Sequence, residues 1–209
     1  MQLKTILPCA ATAVLVSAAF LTVAATRPDH HEPETNQAAG EMAMDDEMMQ
    51  AYLQAGQPGD MHEPLKHFVG EWDVEAEFDM DGEMVKSQGK AVAETIYGGR
   101  FIRETFSGEM MGEQFEGQSI VGYDNVGRKY QSVWYDMMST ALYYAEGTVS
   151  ADGKTMTFTG MGPDPLTGSM KPYLHVHKVE SPDKHVFEMY DSGDDGMKKS
   201  ATMTYTRSK

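Results

Sequence analysis

The sequence predicts an all-β protein, an antiparallel up-and-down barrel of about ten strands with a short N-terminal helix. Three observations predict it. Trp72, Val74, Ala76, Phe78 and Met80 alternate with Asp73, Glu75, Glu77 and Asp79, the two-residue period of a strand buried on one face. Turn-forming residues then recur at even spacing to the C-terminus. No long helical periodicity interrupts them, and closing such a meander into a barrel leaves no exposed edge.

Residues 1–25 contain no acid and combine a start bearing Lys4, an apolar run over 6–20 and the small-residue stretch Val23-Ala24-Ala25. This is the pattern of a secretory signal peptide cleaved after Ala25, so the protein is expected to be periplasmic or secreted. The run is about long enough to span a bilayer, so membrane contact is expected only if this segment stays uncut. Cys9, the one cysteine, lies inside it, which removes disulfides, thiol nucleophiles and thiolate metal sites from the rest of the chain.

Residues 26–43 are polar, carry Pro28 and Pro33 and lack periodic apolar residues, and so read as a disordered acidic tether. Over 44–57, Met44, Met48, Tyr52 and Ala55 recur at helical spacing behind Asp45, Asp46 and Glu47, acids that a helix N-terminus favours. A short amphipathic helix ending near Gly56 is expected, packing its stripe against its own domain. Met42, Met44, Met48 and Met49, with His30 and His31 upstream, also form a donor set suited to Cu(I).

Residues 61–209 form the barrel domain. Turns are read at Asp81-Gly82, Gly98-Gly99, Met111-Gly112, Asp124-Asn125, Met138-Ser139, Asp152-Gly153, Pro163-Asp164-Pro165, Pro182-Asp183 and Gly193-Asp194-Asp195-Gly196. If Asp124 to Gly127 closes one hairpin, Trp134 lies opposite Gly117 and Ser132 opposite Ser119; if Glu109 to Gly112 closes another, Glu104 faces Gly117. One sheet face then carries Arg100, Ile102, Glu104, Phe106, Phe115, Ser119, Tyr130, Ser132, Trp134 and Asp136. Aromatic walls with few polar groups suit a ligand cavity, and Arg100, Glu104, Ser119, Tyr130, Ser132, Trp134 and Asp136 are its candidate binding residues.

Glu104 and Asp136 invite an acid and base pair with Arg100 as an anion clamp, but strand spacing and rise put their backbones roughly 12 Å apart, loose for paired carboxylates. Alternatively, Arg100 neutralises a buried acid. With Ser181 to Lys184 as a turn, His177 faces Glu188 and His175 faces Tyr190. His175, His177 and Glu188 then share a face and could hold Fe(II) or Zn(II), unless that face is the outer one. His62 and His67 flank Pro64-Leu65 where the chain enters the barrel, and read as capping or packing residues. No nucleophile elbow, phosphate loop or dinucleotide fingerprint occurs, so no catalytic residue is assigned, and the sequence requires no cofactor. With 17 basic against 32 acidic residues, a net charge of -15 excludes a grip on nucleic acid. The partner expected is a small molecule.

Gly70-Glu71-Trp72 at the first strand and Arg207 at the end of the last resemble the Gly-x-Trp and closing Arg of the calycin barrels, the lipocalin and fatty-acid-binding-protein group. The resemblance implies that Arg207 lies against Trp72 and closes one barrel end. More specifically, Gly98-Gly99-Arg100, Gly122-Tyr123-Asp124-Asn125, Trp134-x-Asp136, Asp164-Pro165-x-x-Gly168, His185 to Tyr190 and Tyr205-x-Arg207 resemble the bacterial domain-of-unknown-function 1579 family, from about residue 44 to 209. That resemblance implies a small barrel and brings no functional residues with it. Haem-binding relatives of the fatty-acid-binding barrels use one histidine, and by that analogy His185, alternating with Phe187 and Met189, is a candidate axial ligand. The expected function is an exported small-molecule-binding barrel for an apolar or amphipathic ligand. The alternatives are a haem- or metal-binding barrel using histidines and a non-catalytic envelope interaction module.

Overall fold

A computed structural model describes residues 45–209 apart from Asp81, Met111 and Asp194. The expected signal peptide and tether lie outside the described residues, as do His30, His31, Met42 and Met44 of the proposed copper donors. Helix α1 (Asp46–Ala55) begins where the acids predict, with the Asp45 carboxylate accepting from Met48 N at 2.7 Å. Its apolar stripe departs from expectation. None of its residues is buried, and Met48 and Tyr52 are 50% and 68% exposed. Asn125 reaches the helix end, its Nδ2 donating to Ala55 O and Gln57 O at 2.8 Å each, so the tie is polar rather than apolar.

A 3-10 segment (Asp60–Phe68) follows and turns the chain into the barrel. His62 caps it by accepting from Gly59 N through Nδ1 at 3.1 Å, while Leu65, 2% exposed, joins the core. Ten antiparallel strands complete the domain: β1 (Gly70–Met80), β2 (Glu83–Ile96), β3 (Phe101–Met110), β4 (Glu113–Asp124), β5 (Lys129–Asp136), β6 (Tyr143–Val149), β7 (Thr155–Asp164), β8 (Ser169–Ser181), β9 (Lys184–Gly193) and β10 (Gly196–Arg207). Each pairs with its neighbour in sequence, and β1 pairs with β10 to close the barrel. Along β1, Trp72, Val74 and Ala76 are buried while Glu71, Asp73 and Glu75 face outward, as alternation requires.

Closure follows the expected chemistry. Arg207 Cζ sits 4.2 Å from the Trp72 ring centroid, and its guanidinium donates to Val69 O, Pro182 O and Asp183 Oδ1. Trp72 Nε1 donates to Phe68 O at 2.8 Å, which fastens the 3-10 segment to the same end. Gly70 has φ +136°, and a Cβ there would strike Arg207 Nη1, so the glycine preceding Trp72 makes room for the closing arginine.

Two hairpin registers differ from expectation by two residues, with Glu104 opposite Ser119 and Ser119 opposite Trp134. The four-residue Asn125–Arg128 turn and the pairing of Met110 with Glu113 move each register along by a full period, so every face is preserved. In contrast, β8 and β9 differ by one. Ser181 pairs with Lys184 as expected, but a bulge between Val179 and Ser181 puts His177 opposite Phe187 and Val176 opposite Glu188. That single extra residue sends Glu188 to the opposite face from His175 and His177.

Candidate ligand-binding site

The inward face of the barrel encloses a cavity of about 370 Å³. Leu65 and Phe68 of the 3-10 segment form its floor, and Phe106, Phe115, Trp134, Phe158 and Phe187 contribute aromatic wall. Its lining reaches Glu109, Met110 and Met138 at the other end, where Met138 is 65% exposed, so the cavity opens among the β3–β4 hairpin and the segment after β5. The size and the mixture of apolar wall with few polar groups match a small-molecule site.

Five of the seven candidate binding residues line this cavity: Glu104, Ser119, Ser132, Trp134 and Asp136. Trp134 is held by its own strand. Its Nε1 donates to Asp136 Oδ2 at 2.7 Å, its ring stacks with Phe115 at 6.3 Å, and a Cβ at Gly117 would run into its six-membered ring. The other Asp136 oxygen accepts from Met138 N at 2.9 Å, so this carboxylate positions the indole and the loop after β5.

Glu104 differs. No hydrogen bond or ion pair joins its side chain to any described residue, and burial raises its pKa to about 7. Glu104 and Asp136 lie two strands and two residues apart, the separation expected from strand spacing, and Asp136 is already engaged.

Arg100 and Tyr130 do not line the cavity. Arg100 lies in the turn before β3, where strand alternation no longer dictates direction, and its Nη1 donates to Tyr97 O at 2.8 Å. It therefore neither clamps an anion in the cavity nor neutralises Glu104. Tyr130 points inward but sits below the cavity, 1% exposed, its hydroxyl donating to Met61 O at 2.6 Å and burial raising its pKa to about 12. It fastens the 3-10 segment. The two-residue register difference puts it opposite Tyr123, near the closed end.

The histidine readings change with the bulge. His175 and His177 line the cavity, against Tyr173 at 4.6 Å and Phe187 at 4.4 Å respectively. Burial lowers their pKa values to about 4 and about 3, which keeps both neutral at pH 7. Glu188 faces outward, bonded by Lys178 at 2.6 Å, Lys199 at 3.1 Å and Tyr190 at 3.0 Å, and chiefly the Lys178 bond holds its pKa down to about 2. The expected His175, His177 and Glu188 triad is thus divided by the sheet, and among the described residues no group of three acids or histidines could hold a metal ion.

His185 does point inward, yet at the closed end. It is 1% exposed, stacked on Tyr205 at 4.2 Å and edge-on to Trp72 at 4.6 Å, and is absent from the cavity lining. An axial haem ligand must face the group it binds, so His185 does not fit that role for a group held in the cavity. Both His185 ring nitrogens lack hydrogen-bond partners, as do His67 Nε2 and His177 Nδ1. Burial, then the neighbouring His177, His67 and Arg207, lower the His185 pKa to about 2, and burial followed by Arg207 lowers that of His67. Sequence reasoning missed the β7 and β10 wall, including Met156, Phe158, Met203 and Tyr205. Alternation along those strands carried the signal, with Met156 and Phe158 sharing one parity and Met203 and Tyr205 another.

The family model described as protein of unknown function (DUF1579) matches residues 57–207. No curated protein matches the chain. Among solved structures, the crystal structure of Rv2717c from M. tuberculosis is similar with a TM-score of 0.56 at 12% identity, covering 73% of this chain and all of that one. A redesigned β-barrel, b11L5F_LGL, gives 0.40 at 16% identity over 72% of this chain and all of its own. The EF1p2_mFAP2b protein bound to DFHBI gives 0.39 at 15% over 71% of this chain and all of its own. The first of these likenesses supports the fold, and the other two are too distant to argue from.

Proposed function

This chain belongs to the family of proteins of unknown function DUF1579, and we propose that it is a binding barrel whose interior takes up a small apolar or amphipathic molecule. The observation that carries this reading is the open-ended cavity of about 370 Å³ walled by Phe106, Phe115, Trp134, Phe158 and Phe187. A core built only for stability closes such a space, because unfilled volume forfeits dispersion contacts and destabilises the fold. Here the glycine at 117 instead leaves room for the Trp134 indole, and Asp136 fixes that indole at the wall. The residues act as a binding surface: aromatic faces take the apolar body, and Ser119, Ser132 and Tyr205 offer hydroxyls to a polar end. Residues 1–25 support delivery across the inner membrane, so the proposed place of binding is the periplasm or the exterior.

The test is a titration with the neutral fluorophore N-phenyl-1-naphthylamine, followed by its emission and by quenching of tryptophan emission in a Trp72→Phe background that leaves Trp134 as the reporter. Saturable binding is expected in the wild type, together with weakened binding in Ser119→Phe and Ser132→Met, which fill the cavity from two strands. Absence of saturable binding in the wild type, or undiminished binding in both folded variants, would overturn the proposal.

A further inference from the structure

The cavity contains acids and no fixed positive charge. Glu104, Glu109 and Asp136 belong to its lining, and no Lys or Arg of the described residues does. Its two histidines are neutral for the reason given above, and Arg100, the one cation that strand parity aimed at it, is bonded to Tyr97 O outside.

The three acids have different duties. Asp136 is engaged with Trp134 Nε1 and Met138 N, and Glu109 is exposed at the rim. Glu104 lies inside, opposite Ser119 on the cavity wall, and is bonded to no described residue; burial first, and then the nearby Glu104, disfavours ionisation of the Tyr205 phenol. A carboxylate drawn away from bulk water without a hydrogen-bonding or charged partner is unfavourable, and a ligand that supplies one relieves the cost. An anionic ligand meets only like charges there. A ligand bearing an ammonium group gains a counterion, and its apolar body covers Phe106, Phe115 and Trp134. The protein's net charge of -15 adds long-range attraction for cations and repulsion for anions.

We infer that the cavity selects lipophilic primary amines, with Glu104 as the counterion of the bound ammonium group. This inference rests on the proposed role of the cavity as a binding site. It separates this barrel from carriers of fatty acids, whose carboxylate needs a basic residue in the wall.

The experiment uses the full chain with N-phenyl-1-naphthylamine as reporter, displaced by decylamine, decanol and decanoate at pH 8 below their micellar concentrations. Decylamine is expected to displace the reporter at a concentration at least about tenfold below that of decanoate, with decanol between them. In Glu104→Gln the advantage of the amine over the alcohol should vanish. Equal competition by decanoate in the wild type, or an amine preference surviving in Glu104→Gln, overturns the inference and leaves the binding reading standing. A wild type that fails to bind the neutral reporter overturns both.

Discussion

Replacing Glu104 with glutamine is expected to stabilise the unliganded barrel at pH 8 and to change little at pH 4. Burial lifts this carboxyl from 4.5 to about 7, so the folded protein holds a proton that the unfolded chain has released. A raised folded-state value contributes stability that is complete below pH 4.5 and is lost as pH rises through about 7. Each pKa unit corresponds to about 1.4 kcal/mol, so at pH 8 the ionised side chain opposes folding by up to about 3 kcal/mol, less where solvent entering the open cavity screens it. Glutamine keeps the shape and never ionises. At about 2 to 4 °C per kcal/mol for a domain of this size, its advantage in thermal midpoint at pH 8 is up to about 12 °C. Thermal unfolding followed by circular dichroism at pH 4, 6 and 8 measures it. A variant no more stable than wild type at pH 8, or one whose gain is the same at all three values, would refute the claim that an uncompensated carboxylate lines the cavity.

His185→Phe replaces a buried ring whose nitrogens are both unpartnered by an apolar ring that keeps the stack on Tyr205, and should stabilise by about 1 to 3 kcal/mol in urea unfolding at pH 7. Because the folded value of His185 is depressed, its contribution is present above pH 6.5 and is lost as pH falls from there toward about 2; the phenylalanine variant should therefore flatten the acid side of the stability profile between pH 6 and 4. Arg207→Met removes three hydrogen bonds and the contact over Trp72, and should lower urea stability by about 2 to 4 kcal/mol with a red-shifted tryptophan emission; an unchanged midpoint would refute its closing role. N-terminal sequencing of the exported protein should begin at Thr26, and an intact Met1 would remove the expected cleavage.

Strand alternation made much of this architecture legible. A face chosen by parity survives any even slip, which is why Glu104, Ser119, Ser132, Trp134 and Asp136 meet in one cavity although two hairpins pair two residues away from the expected register. The same rule explains the failures. A β-bulge is one residue of backbone with no fixed side-chain signature, and the one beside Ser181 exchanged Glu188 for Phe187 and Met189 next to the histidines. Arg100 lies beyond the strand end, where alternation says nothing. Tyr130 has the inward parity, but its depth along the barrel was set by the longer Asn125–Arg128 turn. Helix α1 was found from its spacing and its acids, whereas whether its apolar stripe is covered depends on tertiary contacts that periodicity does not encode.

The claim that a molecule enters the barrel rather than adhering to its surface is tested most directly by methyl-labelled methionine NMR with decylamine. Met156, Met189 and Met203 line the cavity, while Met84, Met161 and Met170 lie outside it and are 49–55% exposed. Saturable shifts confined to the first set are predicted. Shifts confined to the second set, or none in either, would contradict the account.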